Sequence, residues 1–325
     1  MKRIALIGLC AGLLIFIGLL IWQGVLDVLN FLLASGWGLL WLPVVWVPCF
    51  IPFAQSWRLC FPRDQKPRLS RALLGIWLGR SVNSLLPVAT IGGEIVKARI
   101  IALGGGNANT ATASVVVDKT IQAFAVAIWG LIGVALLVYK AVDNKLAMLA
   151  TSGFIILVVS VTIFIYIQKA GIFGFMAKLG GALIKTDSWE GIAQNAKKVD
   201  ATIKLTYQDR QRILYAIVIK TAGYILQTGE LWLACYLLGI PLNLGDVLLL
   251  KSLTSTISDV AFIIPNGYGI QEGAYMMVGA LLGIKPELAL AVSVAIRVRE
   301  ITVDPAGLLV WHQIETRRLL RRQSQ

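Results

Sequence analysis

Long apolar stretches separated by short polar ones recur along most of the chain. An α-helix needs about 20 apolar residues to cross the hydrocarbon core of a bilayer. Most of the stretches reach that length, and two of them are interrupted by proline and glycine. The pattern therefore predicts an all-α integral membrane protein with about six full spans and two Pro-broken re-entrant hairpins that form an inverted repeat. The stretches lie at roughly 4–22, 35–53, 72–103 (interrupted), 110–139, 147–167, 212–238, 247–284 (interrupted) and 287–312.

The composition leaves no room for a soluble catalytic domain. Of the 325 residues, 57% are hydrophobic and 14% are charged, whereas a soluble domain carries about 25% charged residues. We therefore expect residues 1–325 to form a single transmembrane domain. The stretch 4–22 follows Lys2 and Arg3 and shows no cleavage pattern after it, so we interpret it as a retained first span rather than a signal peptide.

Cysteine and histidine usage argues against a metal site or a nucleophilic enzyme. The four cysteines include no C-x-x-C pair, and His312 is the one histidine of the chain. A lone histidine makes a catalytic triad improbable, because serine and acidic partners would have to converge on it. We expect no metal, no cofactor and no enzymatic activity of the chain itself.

The basic residues set the expected orientation. The net charge of +13 would suit nucleic acid, but the lysines and arginines lie between apolar stretches rather than along one face. Nineteen of them fall before the first stretch, after the second, in the long central loop and at the C-terminus. The positive-inside rule then places both termini in the cytoplasm, and we expect anionic lipids rather than nucleic acid as partners.

The central loop, which we place at 168–211, carries a helical pattern. Trp189, Ile192, Val199 and Ile203 recur at helical spacing, with lysines elsewhere around the helix. Such a pattern is typical of an amphipathic helix on the cytoplasmic leaflet. An ordinary solvated loop helix would show the same pattern, and the sequence does not separate the two.

The two interrupted stretches resemble each other. At a constant offset of 178 residues, 82–119 and 260–297 share nine of 38 positions, which indicates an internal repeat with cores at 72–139 and 247–312. Two full spans and one hairpin separate the copies, so the copies face opposite ways across the membrane. Inverted repeats with broken helices are an architecture of secondary transporters. The offset pairs Pro87 with Pro265, Glu94 with Glu272, and Lys119 with Arg297.

Proline and glycine at the two breaks predict hinges at membrane depth. Proline removes a backbone donor, and glycine lets the chain reverse. The second half-helix of each hairpin would then start with free N–H groups aimed at the gap, which favours an anion such as a phosphate. The predicted hinge residues are Pro87, Gly92, Gly93, Pro265, Gly267 and Gly269.

Charged residues inside the apolar stretches are the candidate site. A charge that faces lipid costs several kcal/mol, so we expect these side chains to face inward. They could hold an anionic headgroup and carry a proton, or they could be structural ion pairs that pin the helices together. Glu94 and Glu272 could also simply complement a helix N-terminus. The charged residues in or beside the apolar stretches are Arg80, Glu94, Lys97, Arg99, Asp118, Lys119, Glu230, Asp259, Glu272, Arg297, Arg299 and Glu300.

Several of these residues belong to blocks that resemble a known family. The blocks are GRSVNSLLP (79–87), GGEIVKAR (92–99), ASVVVD (113–118) and IPNGYGIQEG (264–273). They are similar to the flippase-like domain family, also called the lysylphosphatidylglycerol synthase transmembrane region. Within that family the chain is most similar to the hopanoid-biosynthesis-associated membrane proteins called HpnL. Position 119 is a lysine where many members carry arginine, and the two cations differ in headgroup geometry.

The resemblance implies a bacterial inner-membrane protein that handles lipids as a flippase-like translocase. The cargo would be a lipid with an anionic headgroup or a polyprenoid or triterpenoid tail, and lipid-biosynthesis enzymes would be candidate partners. The alternative is a non-transporting membrane subunit or an embedded enzyme of a lipid (hopanoid) biosynthesis pathway. The residue pattern and the resemblance together give as candidate cavity residues Arg80, Asn83, Glu94, Arg99, Asp118, Lys119, Glu272, Arg297 and Glu300.

Overall fold

The computed structural model describes residues 2–86, 92–140, 188–260 and 265–323, and the isolated positions 148, 152, 155, 159 and 162. Within these residues all regular structure is helical and there is no strand, which confirms the all-α prediction. The predicted hinge at Pro87 and most of the stretch 147–167 lie outside the described residues. The α-helices are α1 (Lys2–Gln23), α2 (Val25–Ser35), α3 (Trp41–Trp46), α4 (Phe50–Arg58), α5 (Leu69–Leu85), α6 (Gly92–Leu103), α7 (Ala108–Tyr139), α8 (Ser188–Gln208), α9 (Arg210–Leu226), α10 (Thr228–Leu237), α11 (Leu244–Val260), α12 (Ile270–Leu281) and α13 (Pro286–Gln323).

Two helical stretches of the described part are long and apolar enough to cross a membrane by length and composition. They are Val25–Arg58, with 34 residues, and Ala108–Tyr139, with 32 residues. The first joins α2 to α4 through short 3-10 turns, one of which contains Pro48. Helix α13 is longer, but charged residues along it lower its hydropathy. The number of full spans therefore stays a prediction.

Helices α5 and α6 form an antiparallel hairpin. They contain 17 and 12 residues, which corresponds to lengths of about 25 Å and 18 Å, so α6 is too short to cross a bilayer. The two helices touch where Gly79 meets Gly93: a Cβ atom on Gly93 would lie 2.0 Å from the carbonyl oxygen of Gly79. Glycine at position 93 is therefore what lets the two backbones approach so closely.

Helices α11 and α12 form a second hairpin of the same dimensions. They also contain 17 and 12 residues. The described end of the connection, Pro265–Gly267, is a 3-10 turn followed by Gly269 at the start of α12. Asn266, Gly267 and Gly269 all have positive φ angles of 55°, 60° and 77°, so the chain changes direction sharply here, where glycine costs least. The matching lengths agree with an internal repeat, which stays a prediction.

Each hairpin packs against the long helix that follows the other one. Helix α7 contacts α11, and α13 contacts α5. On α7, Gly130 and Gly133 face Thr256 and Ser252 of α11, and small residues at such a crossing let membrane helices pack closely. Because of these crossed contacts, both hairpins and both long helices surround one central space.

The central loop contributes α8 to the described structure. Val199 and Ile203 are buried in a cluster that includes Trp57 and Ile121, and α8 contacts α7. The last turns of α8 therefore pack apolar side chains against the protein, an environment that the amphipathic pattern by itself did not distinguish from lipid. The side chains of Trp189 and Ile192 lie outside the described residues.

Candidate functional site

A cavity of about 380 Å³ lies between the two hairpins. Helices α5 and α6 of the first hairpin and α11 of the second line it, together with α7, α9 and α13. One part of the wall is apolar and is formed by Trp46, Phe50, Phe53 and Ile76, while most of the remainder is polar or charged. A volume of this size is within the range of small-molecule sites, about 300–1,000 Å³. The mixed wall suits a ligand that is itself amphipathic.

The first hairpin contributes a linked set of ion pairs to the cavity. The Glu94 carboxylate lies 2.7 Å from Nζ of Lys119 and 2.9 Å from Nζ of Lys97. Lys97 also donates to Asp118 at 2.6 Å, and Lys220 of α9 ion-pairs with the same carboxylate. Lys97, Asp118 and Lys220 are buried, so each of these charges depends on the others for compensation.

The second hairpin and α13 carry a corresponding set. Arg297 donates from Nε to Glu272 at 2.7 Å and from an Nη atom to Glu300 at 3.0 Å. Glu300 also accepts from Arg299 at 3.1 Å, and Arg299 donates to Glu230 at 3.0 Å. These side chains are all buried. The ion pairs therefore tie α10, α12 and α13 together.

Arg80 connects the first hairpin to this second set. Its Nε lies 3.3 Å from Asp304 and an Nη atom lies 3.8 Å from Glu300. The guanidinium packs over the ring of Trp46, 4.6 Å from its centroid. The Arg80 side chain keeps 28% exposure, so it faces the cavity while being anchored from behind.

Each hairpin forms an ion pair with the long helix that follows it, and the two pairs lie at positions related by the 178-residue offset. Glu94–Lys119 is separated by 2.7 Å and Glu272–Arg297 by 2.6 Å. The cation of each pair also bonds an acceptor three residues later, which is Gln122 for Lys119 at 3.1 Å. The geometry thus repeats where the sequence does. The environments differ, because Glu94 lines the cavity and Glu272 is fully buried outside it.

Six of the nine candidate cavity residues line this one cavity. Glu272 and Arg297 lie behind it, paired with each other. Arg99 does not line the cavity. It ion-pairs with Glu315 near the end of α13, and 41% of its side chain is exposed. The six lining residues are Arg80, Asn83, Glu94, Asp118, Lys119 and Glu300.

The expectation of free N–H groups at the hinges is wrong at two positions. The N–H of Gly93 donates to Oδ1 of Asn83 at 2.7 Å, and the N–H of Gly269 donates to the Glu272 carboxylate at 2.7 Å. Protein side chains therefore take the donors that the sequence analysis assigned to an anion. Glu272 complements its helix N-terminus, as one of the alternative interpretations proposed.

Lys220, Lys251 and Asp304 are site residues that sequence reasoning missed. The first two line the cavity, and Asp304 is fully buried beside Arg80. The signal was present, because each is a charge within a predicted apolar stretch and should therefore have been expected to face inward. Asp259 was noted as such a charge but was not singled out, although it also lines the cavity.

The charged side chains around the cavity form what we call the charge cluster. It contains seven carboxylates and seven cations among the described residues, so it is formally neutral when all are ionised. The cavity wall itself is richer in cations, because Glu230, Glu272 and Asp304 lie behind it. The members are Glu94, Asp118, Glu230, Asp259, Glu272, Glu300, Asp304, Arg80, Lys97, Lys119, Lys220, Lys251, Arg297 and Arg299.

Comparison with known proteins supports the resemblance seen in the motif blocks. The sequence matches the family described as lysylphosphatidylglycerol synthase TM region over residues 9–303. No curated protein and no solved structure matches the chain. The matched range includes both hairpins and nearly all of the charge cluster. The chain therefore belongs to the lysylphosphatidylglycerol synthase transmembrane-region family and is a membrane-embedded protein with a lipid-related function.

Proposed function

We propose that the protein is a lipid translocase, a flippase-like secondary transporter for a lipid or lipid-linked molecule with an anionic headgroup. The observation that carries the proposal is the cavity between the two hairpins, whose wall presents six cations and four carboxylates. Charges at this depth are costly unless they pair or serve a polar ligand. An excess of cations on the wall favours an anion.

The shape of the wall supports a lipid rather than a small soluble anion. The aromatic rings of Trp46, Phe50 and Phe53 and the side chain of Ile76 form one apolar part of the cavity wall, and Arg80 lies beside it, 4.6 Å from the centroid of the Trp46 ring. An acyl or isoprenoid stem could pack there while its headgroup meets Arg80 or a lysine. A free phosphate would use the charged part alone.

The paired hairpins support transport rather than static binding. Secondary transporters place the substrate site where the broken helices of two inverted repeats meet, and one repeat rocks against the other. Here α5, α6 and α11 all line one cavity, and the Glu94–Lys119 pair has its counterpart in Glu272–Arg297. If the two copies are oppositely oriented, either hairpin can open the cavity to one leaflet.

The proposal also includes the localisation, the orientation and the cargo of the protein. We place the protein in a bacterial inner membrane with both termini in the cytoplasm, on the strength of its basic loops. A hopanoid-related cargo rests on the similarity to HpnL proteins. An apolar triterpenoid needs little of this charge, so such a cargo would have to carry a polar head.

The test is reconstitution into liposomes with headgroup-labelled lipids of both charge types, with and without a pH gradient. We expect the labelled anionic lipid to cross faster than in protein-free vesicles. We also expect Glu94→Gln to abolish that gain, and the exposed-loop variant Asp64→Asn to behave as wild type, because Asp64 lies in a short turn before α5. Equal rates with and without the protein, for every lipid, would refute the translocase.

A non-transporting subunit or embedded enzyme of a lipid biosynthesis pathway is the second candidate. The observation that favours a structural role is that Glu94, Asp118, Glu230 and Glu300 are each already ion-paired within the protein. A scaffold should keep the pathway active in any Glu94→Gln or Glu272→Gln protein that still inserts into the membrane, although loss of the ion pair lowers its thermal stability. A translocase should lose transport in both variants while still inserting into the membrane at normal levels.

A further inference from the structure

Asp259 differs from every other carboxylate of the charge cluster. Asp259 is the next-to-last residue of α11. It is exposed, and it lines the cavity. No cation of the described residues lies within ion-pair distance of its carboxylate, whereas each of the others has at least one such partner. Those paired carboxylates are Glu94, Asp118, Glu230, Glu272, Glu300 and Asp304.

The groups around Asp259 are positive but engaged elsewhere. Tyr224 of α9 hydrogen-bonds to its side chain, and Lys119, Lys251 and Arg80 interact with it through space. Lys119 lies 2.7 Å from Glu94, Lys251 lies 3.8 Å from Glu230, and Arg80 lies 3.3 Å from Asp304. The other charged residues of the cavity wall come from α6, α7, α9 and α13, and each of them is in an ion pair. They are Glu94, Lys97, Asp118, Lys220, Arg299 and Glu300. Asp259 is therefore the carboxylate that can gain or lose a proton without breaking an ion pair.

The net charge of the cluster follows the state of Asp259. With all seven carboxylates ionised the cluster is neutral, and with Asp259 protonated it carries one positive charge. One singly charged anion in the cavity would then restore neutrality. An anion that enters while Asp259 is ionised instead meets a bare carboxylate across the same three cations, and like charges at close quarters oppose binding.

We infer that Asp259 is the coupling site of the transporter: one proton binds its carboxylate together with one singly charged phosphodiester headgroup. This deepens the proposed function and rests on it. The proton comes from hydronium or a buffer acid in the solution, which leaves water or the buffer base, and it ends on a carboxylate oxygen of Asp259. The headgroup pairs with the cations that Asp259 otherwise faces. The loaded cavity is neutral, so lipid and proton cross in the same direction without net charge movement. Because linkage is reciprocal, each ligand raises the affinity for the other.

The experiment titrates the detergent-solubilised full-length protein with a water-soluble short-chain phosphatidylglycerol by calorimetry, in buffers of different ionisation enthalpy. We expect the wild type to take up about one proton per bound lipid at neutral pH. The Kd for the lipid should rise by up to about tenfold for each unit by which the pH is raised. Asp259→Asn should bind the lipid with a Kd that does not change with pH and should take up no proton. Asp246→Asn, on the same helix but paired with Lys140 outside the cavity, should behave as wild type.

The outcomes separate the coupling from the transport function. Lipid binding by the wild type without proton uptake overturns the inference and leaves the translocase intact, and this reading needs no variant to fold. Proton uptake that persists in Asp259→Asn overturns it as well. Failure of the wild type to bind any anionic lipid overturns the proposed anionic cargo, and the coupling falls with it. Asp259→Glu, which keeps a carboxylate, should retain the uptake.

Discussion

Replacing Gly93 by alanine should separate the two helices of the first hairpin. A Cβ atom at position 93 would lie 2.0 Å from the carbonyl oxygen of Gly79 and 2.6 Å from the amide of Asn83. Ordinary contact begins at 3.4 Å, so the backbones must move apart by roughly 1.4 Å if nothing else yields. Backbone atoms cannot rotate away as a flexible side chain can.

The cost can be worked from these contacts. Overpacking of this kind costs about 1–3 kcal/mol, and loss of the 2.7 Å hydrogen bond from Gly93 to Asn83 adds about 1 kcal/mol. For a chain of this size, 1 kcal/mol corresponds to roughly 2 °C in Tm. We therefore expect Gly93→Ala to lower the unfolding temperature by about 4–8 °C. Transport should also fall, because Arg80 and Glu94 sit on opposite sides of this contact.

The assay is thermal unfolding in detergent at one scan rate, with Gly273→Ala as the matched control. Gly273 is also a helical glycine, in α12, but no atom lies within 4 Å of a Cβ placed there. Alanine should be neutral or slightly stabilising at that position, by up to about 1 kcal/mol. Equal unfolding temperatures for wild type and Gly93→Ala would refute the close hairpin contact.

Three further predictions concern the ion pairs. Asp118→Asn leaves Lys220 without its carboxylate and Lys97 with Glu94 alone, and should destabilise the protein by about 3–5 kcal/mol. Asp118→Asn combined with Lys220→Met should recover part of that loss in thermal unfolding, and an additive loss would contradict the pairing. Arg99→Ala should cost less than about 1 kcal/mol, because its ion pair is partly exposed, and should leave transport near wild type. Arg80→Ala should lower transport at least about tenfold, and equal rates for the two arginine variants would contradict the cavity assignment.

Much of the architecture could be predicted because hydrophobic pattern and helix breakers act locally. The two interrupted stretches, their glycines and the matching Glu94 and Glu272 are all visible in the sequence. The structure adds that α5 and α11, like α6 and α12, have equal lengths. The stretch 212–238 is less regular than predicted, since α9 and α10 part at Gln227.

The partners of the charges could not be predicted, because they depend on which helices meet. Arg99 and Arg80 are both arginines of the first hairpin, yet one faces the end of α13 and the other the cavity. Lys220 comes from a helix that the repeat does not contain, and it reaches Asp118 only through the packing of α9 against α7. Sequence spacing carries no information about such long-range contacts. It also cannot tell that Asn83 would accept from the N-terminus of α6, whereas the corresponding role of Glu272 was one of the interpretations that the sequence left open.

The central claim is that an anionic lipid headgroup enters the cavity between the two hairpins. The most direct measurement is electron cryo-microscopy of the protein in nanodiscs that contain an anionic phospholipid. We expect headgroup density inside the cavity, in contact with Lys119 or Arg80, with its tail along Phe50 and Phe53. Well-resolved headgroups at the bilayer surface alone, with no lipid in a well-resolved cavity, would contradict it.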